Sequence, residues 1–364
     1  MIEKSADNPF TRIDHVAAQM RHDIRRRSLA PGDRYYTASE AGRTFGVSPM
    51  MANRAMNVLA DQDLLVRHRS RGTFVGPKWR HHDGRDTAST LCVHYVHFSD
   101  LASATRLWPT DAMLRGIQRD LPGARMKLVA IPIEDALVQF RHELADIESA
   151  PGETGLILGS APRVVQEAAA ASGVPTVIDG SAYPHVSLSF MEEDQARIAQ
   201  LQIESVARRG CDRVMLFSHE WWRYGDSVAF NHYLQAATEA GYAAAALRAC
   251  NLPQETLAAE VLCETALRSA VDERPHRLGL VCRGAKIAEL VAHVAGGLGM
   301  RRGESVEIVY GCRYQPTLPF PCVVPQWTLV EQFAALGRLL DGAVRQTEER
   351  SAVSVPVTLV ESGS

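Results

Sequence analysis

The sequence predicts an α/β protein in two parts: a small helical domain closed by a β-hairpin, then a larger domain of two parallel-sheet lobes. Three observations carry this prediction. Up to residue 76, apolar residues recur at helical spacing in three short segments followed by two short extended pieces. After residue 90, apolar runs of strand length alternate repeatedly with amphipathic helical stretches. Charge divides at the same place. Residues 1–85 carry fifteen Lys+Arg against nine Asp+Glu, a net of +6 in a chain whose overall charge is -3.

In the first part, residues 10–27 form a helical pattern with Ile13, Val16, Ala17, Met20 and Ile24 on one face. "LAPGDR" (29–34) breaks it with a Pro-Gly turn. "TASE" (37–40) has the form of a capping box, so Thr37 starts a second short helix that ends near Phe45-Gly46. Ser48 is a good N-cap with Pro49 at the first helical position, and a third helix runs to about Asp61. Its core stripe is Ala52, Ala55, Met56 and Leu59; the opposite face carries Met50, Asn53, Arg54 and Asn57. "LLVRH" and "TFVG", joined by "RSRG", read as a basic hairpin. Three helices and a hairpin, with a three-residue break between the second and third helices, make a winged helix-turn-helix pattern. This domain is assigned to residues 1–76, and the polar, aperiodic stretch 77–90 to a linker, in which His81-His82 reads as incidental.

Residues 91–364 alternate strand with helix: "LCVHYVHF", "MKLVAIPI", "GLILGS", "VPTVIDG", "VSLSF" (186–190), "RVMLFS", "AAALRAC" (244–250), "RLGLVC" and "VEIVYG" are strands. Helices are expected between them, one over 192–209. Strand-helix alternation repeated this often implies parallel sheets covered on both faces. So many units exceed one ordinary sheet, and two similar lobes are predicted.

Composition narrows the function. At 364 residues, with 46% hydrophobic and 22% charged content, the chain has room for well-packed domains of ordinary globular type. No apolar run approaches the length of a membrane span, and "MIEKSADNPF" lacks the apolar core of a secretion signal. The seven cysteines are odd in number, scattered and without a CxxC pair, which fits free thiols in a reducing cytoplasm. No metal or cofactor is expected. The chain has no GxGxxG, GxxxxGK[ST], HExxH or GxSxG, and His94 and His97 fall on opposite faces of their strand. Lys286, the only lysine after Lys127, stands in no cofactor motif, so an enzyme is the weaker reading. A basic segment on an acidic body points to a polyanionic partner.

The first 76 residues resemble the winged-helix domain of GntR-family bacterial transcription regulators, in "LAPGDRYYTASEAGRTFGVS" and in "NRAMNVLADQDLLVRHRSRGTFV". The remainder resembles the effector domain of LacI-type and arabinose-repressor-type regulators, related to type I periplasmic sugar-binding proteins. The order of strands, "RRGCDRVMLF" and the closing "VPVTLVESGS" carry this second resemblance.

Together the resemblances imply a cytoplasmic, DNA-binding, effector-modulated regulator, more often a repressor, acting as a homodimer on double-stranded operator DNA. The implied DNA contacts are Thr37 and Ser39 at the second helix; Ser48, Pro49, Met50, Met51, Asn53, Arg54 and Asn57 at the third; and Arg69, Arg71 and Gly72 in the wing. An asparagine amide can pair with adenine and a guanidinium with guanine. Met51 divides evenly between reading bases and packing on the second helix. Ser39 stands where the family usually has an arginine, and "SPMM" where it has "SRTT".

An effector such as a sugar or sugar derivative is expected between the lobes, on loops at the carboxyl ends of strands. The candidates are His97, Ser99, Trp108, Asp111, Ser160, Asp179, Trp221, Trp222, Arg223, Arg283 and Arg313. Two polar sugar contacts of the LacI type are missing: Ala229 and His232-Tyr233 replace Arg-x-x-Gly-Phe, and Gly284-Ala285 replaces Asn-Asp. Three readings stay open: a non-sugar ligand, compensation by Arg223 and Arg283, or a pocket that no longer binds an effector.

Overall fold

The computed structural model describes residues 13, 16–17, 19–21, 23–24, 27, 29–61, 63–68, 71–77, 79, 91–99, 109–149, 153–219, 224–273, 275–313, 316–345 and 350–361. In the first domain, helix α1 has its described residues between 13 and 24. It is followed by α2 (Ala38–Thr44), α3 (Pro49–Asp61), β1 (Leu65–His68) and β2 (Gly72–Val75).

Each boundary has a local cause. The Thr37 hydroxyl accepts from the Glu40 amide at 3.3 Å, while the Glu40 carboxylate accepts from the Thr37 amide at 2.7 Å, completing the capping box. Gly46, at φ +66°, takes the left-handed turn after α2, and the Val47 amide reaches back to the Gly42 carbonyl at 2.9 Å. A Cβ on Gly42 would lie 2.9 Å from the Val47 carbonyl oxygen, so this turn is tight at two positions. The Ser48 hydroxyl then accepts from the Met51 amide at 3.2 Å and starts α3. The hairpin pairs Leu65 with Val75 and His68 with Gly72, and residues 32–35 extend it along β2. Val16, Met20 and Ile24 pack with Tyr35, the four stripe residues of α3, Leu65 and Val75. Trp79, in the segment read as linker, is buried in the same core.

The larger part contains β3 (Cys92–Ser99), α4 (Thr110–Asp120), β4 (Arg125–Pro132), α5 (Ala136–Ser149), β5 (Thr154–Gly159), α6 (Arg163–Ser172), β6 (Thr176–Asp179) and β7 (Ser189–Glu193). Next come α7 (Gln195–Arg208), β8 (Arg213–His219), α8 (Tyr224–Glu239), β9 (Leu247–Leu252), α9 (Thr256–Asp272), β10 (Leu278–Cys282), α10 (Ala285–Gly297), β11 (Val306–Gly311) and β12 (Cys322–Pro325). It ends with α11 (Leu329–Arg345), β13 (Ala352–Val355) and β14 (Val357–Val360).

Two six-stranded sheets result. One runs β13-β7-β6-β5-β3-β4 and is parallel throughout; the other runs β14-β12-β11-β10-β8-β9, with β14 alone antiparallel. Their central strands follow the same doubly wound order, and apolar clusters cover both faces of each sheet. The chain crosses between the lobes three times: β7 to α7, β12 to α11, and β13 to β14. The crossings are tied together, since the Asp194 amide donates to the Val355 carbonyl at 3.0 Å and the Gln326 amide to the Pro356 carbonyl at 2.8 Å.

Two expected boundaries move. The strand expected at 186–190 is β7 at 189–193, because Asp194 is the true N-cap of α7, accepting from the Arg197 amide at 2.9 Å. The strand expected at 244–250 begins at Leu247, after a single 3₁₀ turn. Among the described residues, no helix is long and apolar enough to cross a membrane, and no cluster of His, Cys, Asp or Glu has metal-binding geometry.

Candidate nucleic-acid interface and ligand cleft

Burial of Ala52, Ala55, Met56 and Leu59 turns the opposite face of α3 to solvent. Met50 is 65% exposed; Arg54 and Asn57 are exposed, and Asn53 is half-buried. Met51 packs against the domain core, so its side chain is engaged with that core. Ser48 and Pro49 are exposed at the helix start. On α2, Ser39 is exposed while the Thr37 hydroxyl serves as the cap. Gly72 opens β2 at φ +104°, a conformation that L side chains rarely adopt, and Arg71 beside it is exposed. Arg69 lies outside the described residues.

Sequence reading overlooked one residue on this surface. Arg67, in β1, donates from Nη2 to the Asn53 Oδ1 at 2.7 Å and from Nη1 to the Asn57 Oδ1. The basic pattern of "VRHRSR" was visible; the pairing between strand and helix was not.

The cleft between the lobes has a volume of about 540 Å³ and is lined by the carboxyl ends of strands from both sheets. That lies within the range of small-molecule sites. Five sequence candidates line it: His97, Ser160, Asp179, Arg283 and Arg313. Ser160 holds a left-handed backbone at φ +57°, an uncommon conformation for a non-glycine residue. Asp111 does not line the cleft; it sits exposed in the first turn of α4, paired with Arg115 one turn on. Trp108, Trp221, Trp222, Arg223 and the side chain of Ser99 lie outside the described residues.

Asp179 is the hub. Its buried carboxylate accepts from the Tyr95 hydroxyl at 2.7 Å and from Arg313 Nη2 at 2.5 Å. Tyr95 and Asp179 belong to the first sheet and Arg313 follows β11 of the second, so this ion pair spans the cleft. Tyr183 and Tyr224 bring a second contact across it, with ring centroids 5.2 Å apart. Arg283 donates to Gln195 at 2.9 Å and to Asp226 at 3.3 Å.

Glu192 and Glu193, which an early start to α7 would have placed in its first turn, instead end β7 and line the cleft. The Glu193 Oε1 is shut off from solvent with no hydrogen-bond partner among the described residues. Burial raises the pKa of both carboxyls above the ordinary range, although Ser181 donates to Glu192 and arginines lie near both. Gln332 and Lys286 also line the cleft. Ala229 and Tyr233 are buried within the second lobe, so α8 supplies the cleft with Tyr224 and Asp226 instead.

The family profile described as bacterial regulatory proteins, gntR family, matches residues 12–75. No curated protein sequence is similar. Among solved structures, the transcriptional regulator CelR in complex with cellobiose aligns over 95% of this chain and 99% of its own, with a TM-score of 0.60 at 14% identity. The lac repressor dimer bound to operator and the anti-inducer ONPF covers 75% of this chain and 93% of its own, with a TM-score of 0.58 at 13% identity. A LacI family regulator from Mycobacterium smegmatis covers 74% and 99%, with a TM-score of 0.58 at 17% identity. The chain thus carries a GntR-family DNA-binding domain ahead of a two-lobed domain with the fold of LacI-type regulators.

Proposed function

We propose that this protein is a cytoplasmic transcriptional regulator, acting as a repressor, that binds operator DNA as a homodimer and releases or tightens its grip when a small molecule enters the interlobe cleft. The observation that carries the proposal is the union in one chain of a DNA-binding domain and a hinged, two-lobed cleft with convergent charged and aromatic groups. A recognition helix presents its N-terminal residues to the major groove, and two such helices in a dimer engage two half-sites. Ser48, Pro49, Met50, Asn53, Arg54 and Asn57 read the operator, the start of α2 at Thr37 and Ser39 meets a phosphate, and the wing with Arg69, Arg71 and Gly72 contacts backbone or minor groove. Residues 91–364 form the sensor and dimerise.

A sugar or sugar derivative is the ligand class this reading favours. Planar hydrogen-bonding groups on Asp179, Asp226, Arg283 and Gln332 face a cleft edged by Tyr95 and Tyr224, and a similar structure was solved with cellobiose. Arg283 lies at the cleft where the usual Asn-Asp is missing, and supports the reading by compensation. Two measurements on the full chain test the proposal. Selection from random duplex DNA is expected to yield a two-fold-symmetric site, with Arg54→Ala weakening it by about 1–3 kcal/mol. A thermal-shift screen of sugars, sugar acids and nucleosides is expected to give a hit that also changes operator affinity. Failure to enrich any DNA sequence overturns the first half, and a wholly negative screen the second.

A further inference from the structure

Arg67 fixes which hydrogen-bonding groups α3 can offer to DNA. A guanidinium donates and never accepts. Asn53 and Asn57 are one helical turn apart, and each turns its amide oxygen to Arg67. Each NH2 group is therefore the atom of its amide turned away from Arg67. We infer that Arg67 turns the Asn53–Asn57 pair toward donation, so that it selects G·C pairs, through guanine N7 and O6, over A·T pairs read through adenine.

The pairing expected from the sequence alone, asparagine with adenine, needs the amide oxygen to accept from the adenine N6 amino group. Here that oxygen already accepts from a cation, so an adenine amino group donating to its second lone pair has to approach beside the guanidinium charge. Guanine places two acceptors, N7 and O6, at these positions. Arg54, exposed on the same face, adds donors and no acceptor. Arg67 is thus a positioning residue, setting specificity through the amides it orients.

The inference rests on the proposal that α3 reads operator DNA, and its test separates the two. Full-length wild type, Asn53→Ala, Asn57→Ala, Arg67→Ala and Asn53→Asp are each put through selection from the same random duplex pool. Base pairs whose preference is lost in Asn53→Ala or Asn57→Ala are the ones these residues read. At those pairs the wild type is expected to prefer G·C over A·T by on the order of tenfold. In Arg67→Ala, whose side chain lies at the surface, the amides turn freely, and A·T is expected to rise to within about twofold of G·C. Asn53→Asp keeps a partner for Arg67 and has no donor, so its G·C preference is expected to vanish even if the wing shifts in Arg67→Ala. A·T preferred over G·C by the wild type at those pairs overturns the inference while the operator-binding reading stands. So does a preference unmoved in Arg67→Ala, or an enriched site that neither alanine variant alters. If the wild type enriches no sequence, the DNA-reading proposal itself falls, and this inference with it.

Discussion

The two lobes share a strand order and differ in what they bring to the cleft. The first supplies acids, Asp179, Glu192 and Glu193; the second supplies Arg283, Lys286 and Arg313, together with Asp226. They also differ in continuity. The second lobe is built almost wholly from residues 195–325, whereas the first is completed only by α11 and β13, far along the chain. Opposite charge favours closure of the lobes on one another, while the joined crossings keep closure a hinge motion. A ligand that enters has to replace contacts the lobes already make across the cleft, so affinity depends on what it offers in place of the Asp179–Arg313 pair.

This contrast can be broken at three points. The largest effect is expected from Gly116→Ala. A Cβ there would lie 2.5 Å from the Phe333 Cβ and 2.6 Å from the Val330 carbonyl oxygen, forcing α4 and α11 apart at a cost of about 3 kcal/mol. Hydrogen exchange should show lost protection in α4 and α11 and retained protection in β8, β10 and β11; equal losses in both lobes would show that they unfold as one. Arg313→Ala strands the buried Asp179 carboxylate. Because the arginine is partly exposed, the expected cost is roughly 3 kcal/mol, the low end for a buried pair, in urea unfolding. Adding Asp179→Asn should recover part of that loss.

The smallest effect concerns pH. Folding raises the pKa of Glu193, so the folded chain holds this proton more tightly than the unfolded one. Its contribution to stability is therefore full below the ordinary carboxyl range and falls as pH rises through the folded-state value. Glu193→Gln should leave Tm unchanged near pH 4 and raise it by a few degrees at pH 8. An equal shift at both values would place the effect in packing rather than charge.

Legibility in the sequence followed the distance between partners. The core stripe of α3, the Thr37–Glu40 box and the Ser48 cap are set within a few residues, and each appears in the structure where the pattern put it. Arg67 meets Asn53 and Asn57 across 14 and 10 residues, by a packing of strand on helix that no periodicity encodes. Glu192 and Glu193 were hidden by a different ambiguity. Acidic residues before a helical pattern read as a favourable first turn, so "MEED" looked like the start of a helix. Only Asp194 caps, and the two glutamates belong to the strand that ends at the cleft. Asp111 shows the converse error: its position after a strand and loop suited a ligand contact, but α4 carries it to solvent.

The crossings also set an order of events during synthesis. The DNA-binding domain and the second lobe are each nearly complete within a continuous stretch, and domains with local contacts fold as they emerge. The first lobe cannot close until α11 arrives to pack on α4, a partnership in which Arg338 reaches Asp120 across 218 residues. For most of translation its sheet lacks both the helix that covers one face and its β13 edge. A chain cut short after residue 328 would keep its DNA-binding domain and most of its second lobe, yet lose the lobe made first. Such a product is expected to aggregate or be degraded through the open first lobe, not to persist as an unregulated DNA binder.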